Sequence, residues 1–171
     1  MALFLAVQFA SKAKHLPDRA QVRRWALAAH GAHSTRGTHS ENSEKCDAVV
    51  TIRYVDEKEG RALNLAFRQK DYATNVLTFA HEPAVSPFDK RSAKHSSKNY
   101  AADIVICAPV IAREAREQNK PVATHHGHMV IHGLLHAQGL DHETETDAAL
   151  MEACEIAVLK RFRIKNPYEI D

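Results

Sequence analysis

Leu3, Leu5, Val7 and Phe9 fall on every second position, the period of a strand. Pro17 then suits the first turn of a helix, and Val22, Trp25, Ala26 and Ala29 follow at helical spacing, with Gly31 able to end it. Residues 31–45 are polar and read as a loop. Ala48–Val55 is rich in β-branched residues and reads as a strand. Asp56 with Glu59 resembles a capping box and predicts a helix to about Arg68, with Leu63, Ala66 and Phe67 facing inward. Asn75–Ala80 reads as a strand. Residues 81–100, with Pro83 and Pro87, read as a long loop of the kind that is functional or disordered. Asp103–Cys107 reads as a short buried strand. Pro109 opens a helix through about Asn119, Val122–Gln138 forms the next, and a last helix runs from about Thr144 to Arg163. Its stripe is Leu150, Cys154, Ala157 and Val158. Its acidic start and basic end complement the helix dipole.

This order predicts an α+β fold: a small mixed sheet of about four strands packed with five or so helices, one of them a zincin-like metal helix. With 171 residues and no repeat or linker, residues 1–171 are expected to form a single domain. No run approaches the roughly twenty apolar residues of a membrane helix, and the apolar start lacks a basic n-region. A soluble, cytoplasmic protein without a membrane partner is expected. Cys46, Cys107 and Cys154 are scattered and odd in number, which suits reduced, buried thiols. The net charge of +2 permits an anionic partner without demanding one.

The chemistry concentrates in His132-Gly133-Leu134-Leu135-His136-Ala137-Gln138-Gly139-Leu140-Asp141-His142. On a helix, His132 and His136 stand one turn apart on one face. Gly139 can take the left-handed conformation that terminates the helix and brings His142 back toward them. Three neutral imidazoles with an open position are the donor set of a catalytic zinc site. The spacing matches the metzincin pattern H-E-x-x-H-x-x-G-x-x-H, but Gly133 stands where the protease base would be. The metal cage is complete and the protease base is missing.

With twelve histidines in the chain, position alone means little. His128 shares the face of His132, yet it lies about 12 Å along the helix from His136 at 1.5 Å per residue. One ion with bonds of about 2 Å cannot span that. His128 is therefore expected to contact a ligand or the substrate. His125 and His126 are expected to be exposed at a helix start. Asp141 is expected to fix the turn or to hold an imidazole tautomer.

At these residues the sequence resembles the YbeY family of bacterial rRNA maturation factors. The family's H-G-x-L-H-L-x-G-x-D-H reads His132 to His142. Its L-N-x-x-[YF]-R-x-x-D-x-x-T-[DN]-V-L-[ST]-F reads Leu63 to Phe79, and its G-D-[IL]-V-I reads Ala102 to Ile106. The resemblance covers about Thr51 to Tyr168. Ala102 replaces a glycine, Ala137 a leucine, and Ala80-His81 follow Phe79 where proline is usual.

The resemblance implies one zinc ion per chain held by His132, His136 and His142. It also implies an essential arginine at Arg68, which joins His136 as a catalytic residue. The implied activity is that of a metal-dependent, single-strand-specific endoribonuclease in 16S rRNA 3′-end maturation and ribosome quality control. The implied partners are the 16S rRNA precursor, the small ribosomal subunit and the Era GTPase. Arg68 would offer phosphate a planar, permanently charged fork. The basic cluster Lys90, Arg91, Lys94 and Lys98 could track an RNA backbone, with Tyr100 free to stack on a base. No general base is evident. Two alternatives stand beside this reading: a zinc peptidase or amidase with a substituted base, and a non-enzymatic ribosome assembly factor with a structural metal.

Overall fold

Four strands, β1 (Leu3–Phe9), β2 (Ala48–Val55), β3 (Val76–His81) and β4 (Tyr100–Cys107), form one sheet in the order β1-β2-β4-β3. The β1–β2 and β2–β4 pairs are parallel and the β3–β4 pair is antiparallel. The sheet is therefore mixed, with β3 at an edge. Five helices complete the α+β fold: α1 (Arg19–His30), α2 (Glu57–Arg68), α3 (Ala108–Glu117), α4 (Val122–Ala137) and α5 (Glu145–Arg161). These coordinates come from a computed structural model that describes residues 2–32, 47–81 and 99–169. The expected loops lie largely outside those residues, as do Cys46 and the basic cluster Lys90, Arg91, Lys94 and Lys98.

The main core fills the space between one sheet face and α1, α4 and α5, around Ile52, Tyr54, Ile104, Ile106, Leu134 and Leu135. Each such aliphatic side chain stabilises the fold by about 1.5–3 kcal/mol when fully buried. Helix α4 is central, touching α1, α3, α5, β3 and β4. A smaller cluster of Val55, Leu77, Val105, Cys107 and Val110 lies apart from it. Among the described residues no helix is long and apolar enough to cross a membrane. Cys107 is a buried free thiol, and Cys154 is buried as well.

Several local expectations are corrected. Pro17 lies just outside α1, whose N-cap is Asp18, and Asp18 forms a capping box with Gln21. Asp56 makes no side-chain cap on α2. Its carboxylate accepts a hydrogen bond from the Ser11 hydroxyl, and Glu59 pairs with Arg53 at 2.8 Å. Each acid of the expected box thus has another partner. The buried line of α2 runs through Gly60 and Asn64; Leu63 is half-buried, and Ala66 and Phe67 are exposed. A Cβ on Gly60 would stand 3.2 Å from Cys107 Sγ, so α2 approaches through a residue that apolar periodicity passes over. On α5, Leu150 and Ala157 are exposed, and the buried stripe is Met151, Cys154, Glu155, Val158 and Leu159. Tyr100 opens β4, packs on the core and bonds His30 at 2.9 Å, so its ring is not free to stack on a base.

Candidate metal centre

Helix α4 places His132 and His136 one turn apart, with their Nε2 atoms 3.1 Å from each other. The helix then ends in a Schellman motif. Leu140 N–H donates to Leu135 C=O at 3.2 Å, Gly139 N–H donates to His136 C=O at 2.9 Å, and Gly139 takes φ +86°. That reversal carries His142 back over the helix end. Its ring centroid is 4.8 Å from His136 and 5.8 Å from His132. One nitrogen from each of the three rings lies within 4.8 Å of the other two. Two nitrogens bound tetrahedrally to one zinc at about 2.0–2.1 Å stand about 3.3 Å apart, so the donors fit one ion of that kind.

Each ring also has an oxygen beside its Nδ1, and a hydrogen bond from that nitrogen leaves Nε2 to face inward. His136 Nδ1 lies 2.9 Å from the Leu140 carbonyl, so it is the protonated nitrogen and Nε2 carries the lone pair. Burial, then the neighbouring His132 and His142, push the His136 pKa down and favour the neutral, ligating form. His142 Nδ1 lies 3.5 Å from Asp141 Oδ1, and the same oxygen accepts the His142 backbone N–H at 2.8 Å. Asp141 thus braces the turn. His132 Nδ1 lies 3.3 Å from Glu155 Oε1.

Glu155 is the residue that sequence reasoning missed. It is fully buried on α5, and its Oε1 also lies 2.9 Å from His128 Nε2. Burial pushes its carboxyl pKa up, but His128 and His132 more than reverse that, so the net direction is down. The available signal was a lone acid, four residues after Met151 and three before Val158, inside an apolar helical stripe. His128 points to this carboxylate, as a contact of a candidate ligand's neighbour.

His125 and His126 are not exposed; they are 2% and 0% accessible. His125 Nε2 pairs with Glu114 at 2.7 Å. His126 packs against the Tyr54 and His15 rings, and burial drops its pKa to about 3. Both stand on the enclosed side of the first turns of α4, while Ala123 takes the exposed side.

The three rings open into a cleft of about 510 Å3, within the range of ligand sites. Its walls come from Arg68 and Lys70 at the end of α2, from Tyr72, Thr74 and Asn75, from the β3 edge including Thr78, and from the turn from Gly139 to Glu143. Gln69 ends α2 in the left-handed conformation, at φ 58°. Arg53, Arg61 and Arg113 are paired with Glu59, Asp71 and Glu57. Arg68 is exposed on the cleft wall and makes no ion pair with the described residues.

The family model described as Endoribonuclease YbeY matches residues 10–163. The chain belongs to the YbeY family. An endoribonuclease YbeY of Thiobacillus denitrificans is 47% identical over 166 residues, 97% of this chain and 96% of that protein. Another, from Cupriavidus pinatubonensis, is 42% identical over 156 residues, covering 91% of this chain and 65% of that longer protein. The solution structure of TM1509 from Thermotoga maritima shares the fold, with a TM-score of 0.53 over 96% of this chain and 99% of that one at 21% identity. The YbeY match extends some forty residues further toward the N-terminus than Thr51, where the resemblance read from the sequence begins.

Proposed function

We propose that this chain is a zinc-dependent, single-strand-specific endoribonuclease, acting in the cytoplasm on the 3′ end of the 16S rRNA precursor and in ribosome quality control. The small ribosomal subunit and the Era GTPase are its proposed partners. His132, His136 and His142 are the proposed ligands of one zinc ion, and Arg68 with His136 the proposed catalytic residues. The observation that carries the reading is the convergence of three imidazoles in a cleft whose wall holds an arginine with no ion pair among the described residues. Membership of the YbeY family supports RNA as the substrate.

Zinc held there would act as a Lewis acid toward a phosphoryl oxygen and lower the pKa of water to about 7. The remaining work belongs to side chains. Arg68 binds a non-bridging phosphate oxygen with its planar fork and stabilises charge that grows there during cleavage. Lys70, on the same wall, adds attraction for the backbone of the RNA. Asp141 and the Leu140 carbonyl keep His142 and His136 oriented.

The peptidase alternative needs Glu143 or Asp141, both on the cleft wall, to stand in for the missing base. A glutamate at Gly133 itself has no room, because a Cβ there would stand 2.9 Å from Ile104 Cγ2 and 3.3 Å from Thr78 Oγ1. The test is metal content of the wild type beside His132→Ala, with single-stranded RNA cleavage measured on both. Loss of metal and of cleavage together is expected. Equal cleavage after loss of metal would refute the mechanism, and full function in the cell without cleavage would favour an assembly factor.

A further inference from the structure

The Glu155 carboxylate has no part in the reading above, yet three groups converge on it. His128 Nε2 and His132 Nδ1 approach Oε1 at 2.9 and 3.3 Å, and the Tyr168 hydroxyl donates to Oε2. Its neighbours along the helix stripe are Met151, Cys154 and Val158. An apolar residue would pack there without the penalty of several kcal/mol that a buried charge carries. Helix packing therefore does not account for an acid at this position.

His132 has two faces. Its Nε2 is directed toward His136 and its Nδ1 toward Glu155. His136 and His142 likewise turn Nδ1 to an oxygen, but those oxygens belong to a backbone carbonyl and an exposed aspartate. Among the described residues, only His132 of the three has a fully buried carboxylate behind it. We propose that Glu155 is the positioning residue of the metal centre: it accepts the Nδ1 proton of His132 and holds that ring with its Nε2 lone pair toward His136 and His142. Tyr168 secures the second oxygen and joins the segment after α5 to the same carboxylate. This inference rests on the metal reading of the cleft.

The two imidazole approaches are close in distance but bent, leaving Oε1, His128 Nε2 and His132 Nδ1 without a straight hydrogen bond. The same three atoms would also be near enough to hold an ion. A cation there would need His132 stripped of both ring protons and bridging two metals. Two imidazole N–H donors need no ion between them, because one carboxylate oxygen has lone pairs for both.

Two measurements test this. In the first, cobalt(II) is titrated into metal-free wild type and Glu155→Gln, which keeps the shape and removes the charge, and the visible spectrum is followed. The variant should bind 10–100-fold more weakly, the usual cost of losing such an outer partner. Equal affinities would overturn the proposal while leaving the metal reading intact; a wild type that binds no cobalt would overturn both. A second cobalt equivalent that Glu155→Gln alone loses, with the first unchanged, would replace the proposal with an ion at Glu155. In the second, long-range 1H–15N spectra of metal-free wild type at pH 8, assigned with His132→Ala, read the tautomer directly. Nδ1–H at His132 is expected, and Nε2–H would overturn the proposal whether or not the variant folds.

Discussion

Gly133 and Ile104 touch with no room for a side chain between them: a Cβ on the glycine would come within 2.9 Å of Ile104 Cγ2 and 3.3 Å of Thr78 Oγ1. The helix bearing the histidines is seated on β4 and β3 through this contact. Gly133→Glu would force an acid into that contact. Overpacking alone costs about 1–3 kcal/mol, and burying the charge adds to it. Chemical denaturation should show a loss of at least that size, with no peptidase activity gained. Peptidase turnover in a stable Gly133→Glu protein would favour the peptidase alternative.

Metal removal should be visible as stability. A ligand present at 100–1,000 times its Kd stabilises the folded state by about 2.7–4.1 kcal/mol. Chelation should lower the Tm of the wild type accordingly, and zinc should restore it. The His142 side chain is 56% exposed, so His142→Ala should match the metal-free wild type and fail to respond to zinc. A normal zinc response in that variant would exclude His142 as a ligand.

Arg68 separates chemistry from folding. It is exposed and unpaired among the described residues, so Arg68→Glu should change stability by no more than about 0.5 kcal/mol. Its loss from the phosphate site should slow single-stranded RNA cleavage about 100-fold, the scale of one preorganised donor. Arg68→Lys should recover only part of that rate, since it keeps the charge and loses the fork. Unchanged kcat in Arg68→Glu would remove Arg68 from the mechanism.

His126 predicts an acid limb in the stability profile. Burial lowers its pKa from 6.5 to about 3, with the nearby His15 and His125 acting in the same direction. Between those values the unfolded chain binds a proton that the folded chain does not. Stability therefore falls as pH drops from 6.5 toward 3, by up to about 1.4 kcal/mol per pH unit from this one group. Urea denaturation of metal-free protein from pH 4 to 7 should show a steeper slope for wild type than for His126→Leu. Equal slopes would mean that His126 takes up its proton in the folded state.

Much of the centre was legible because its geometry is local. His132 and His136 are related by the pitch of a single helix, and Gly139 ends that helix by a backbone rule that needs no tertiary partner. His142 follows within three residues, so eleven consecutive residues carry the whole ligand set. The strands and the mixed α+β plan were legible for a similar reason, since period-two and period-3.6 patterns express backbone geometry.

What lay beyond the sequence was which side of each helix would be covered. Met151 and Glu155 share a buried face of α5, while Leu150 and Ala157 point to solvent. His125 and His126 are enclosed because α4 has neighbours on most sides. Arg68 sits across the cleft from histidines more than sixty residues later in the chain. The sequence by itself determined the ligand spacing and the order of the elements. The tertiary structure decided the partners of those ligands, because burial is set by what packs against a helix, and no periodicity within the helix encodes the position of its neighbours.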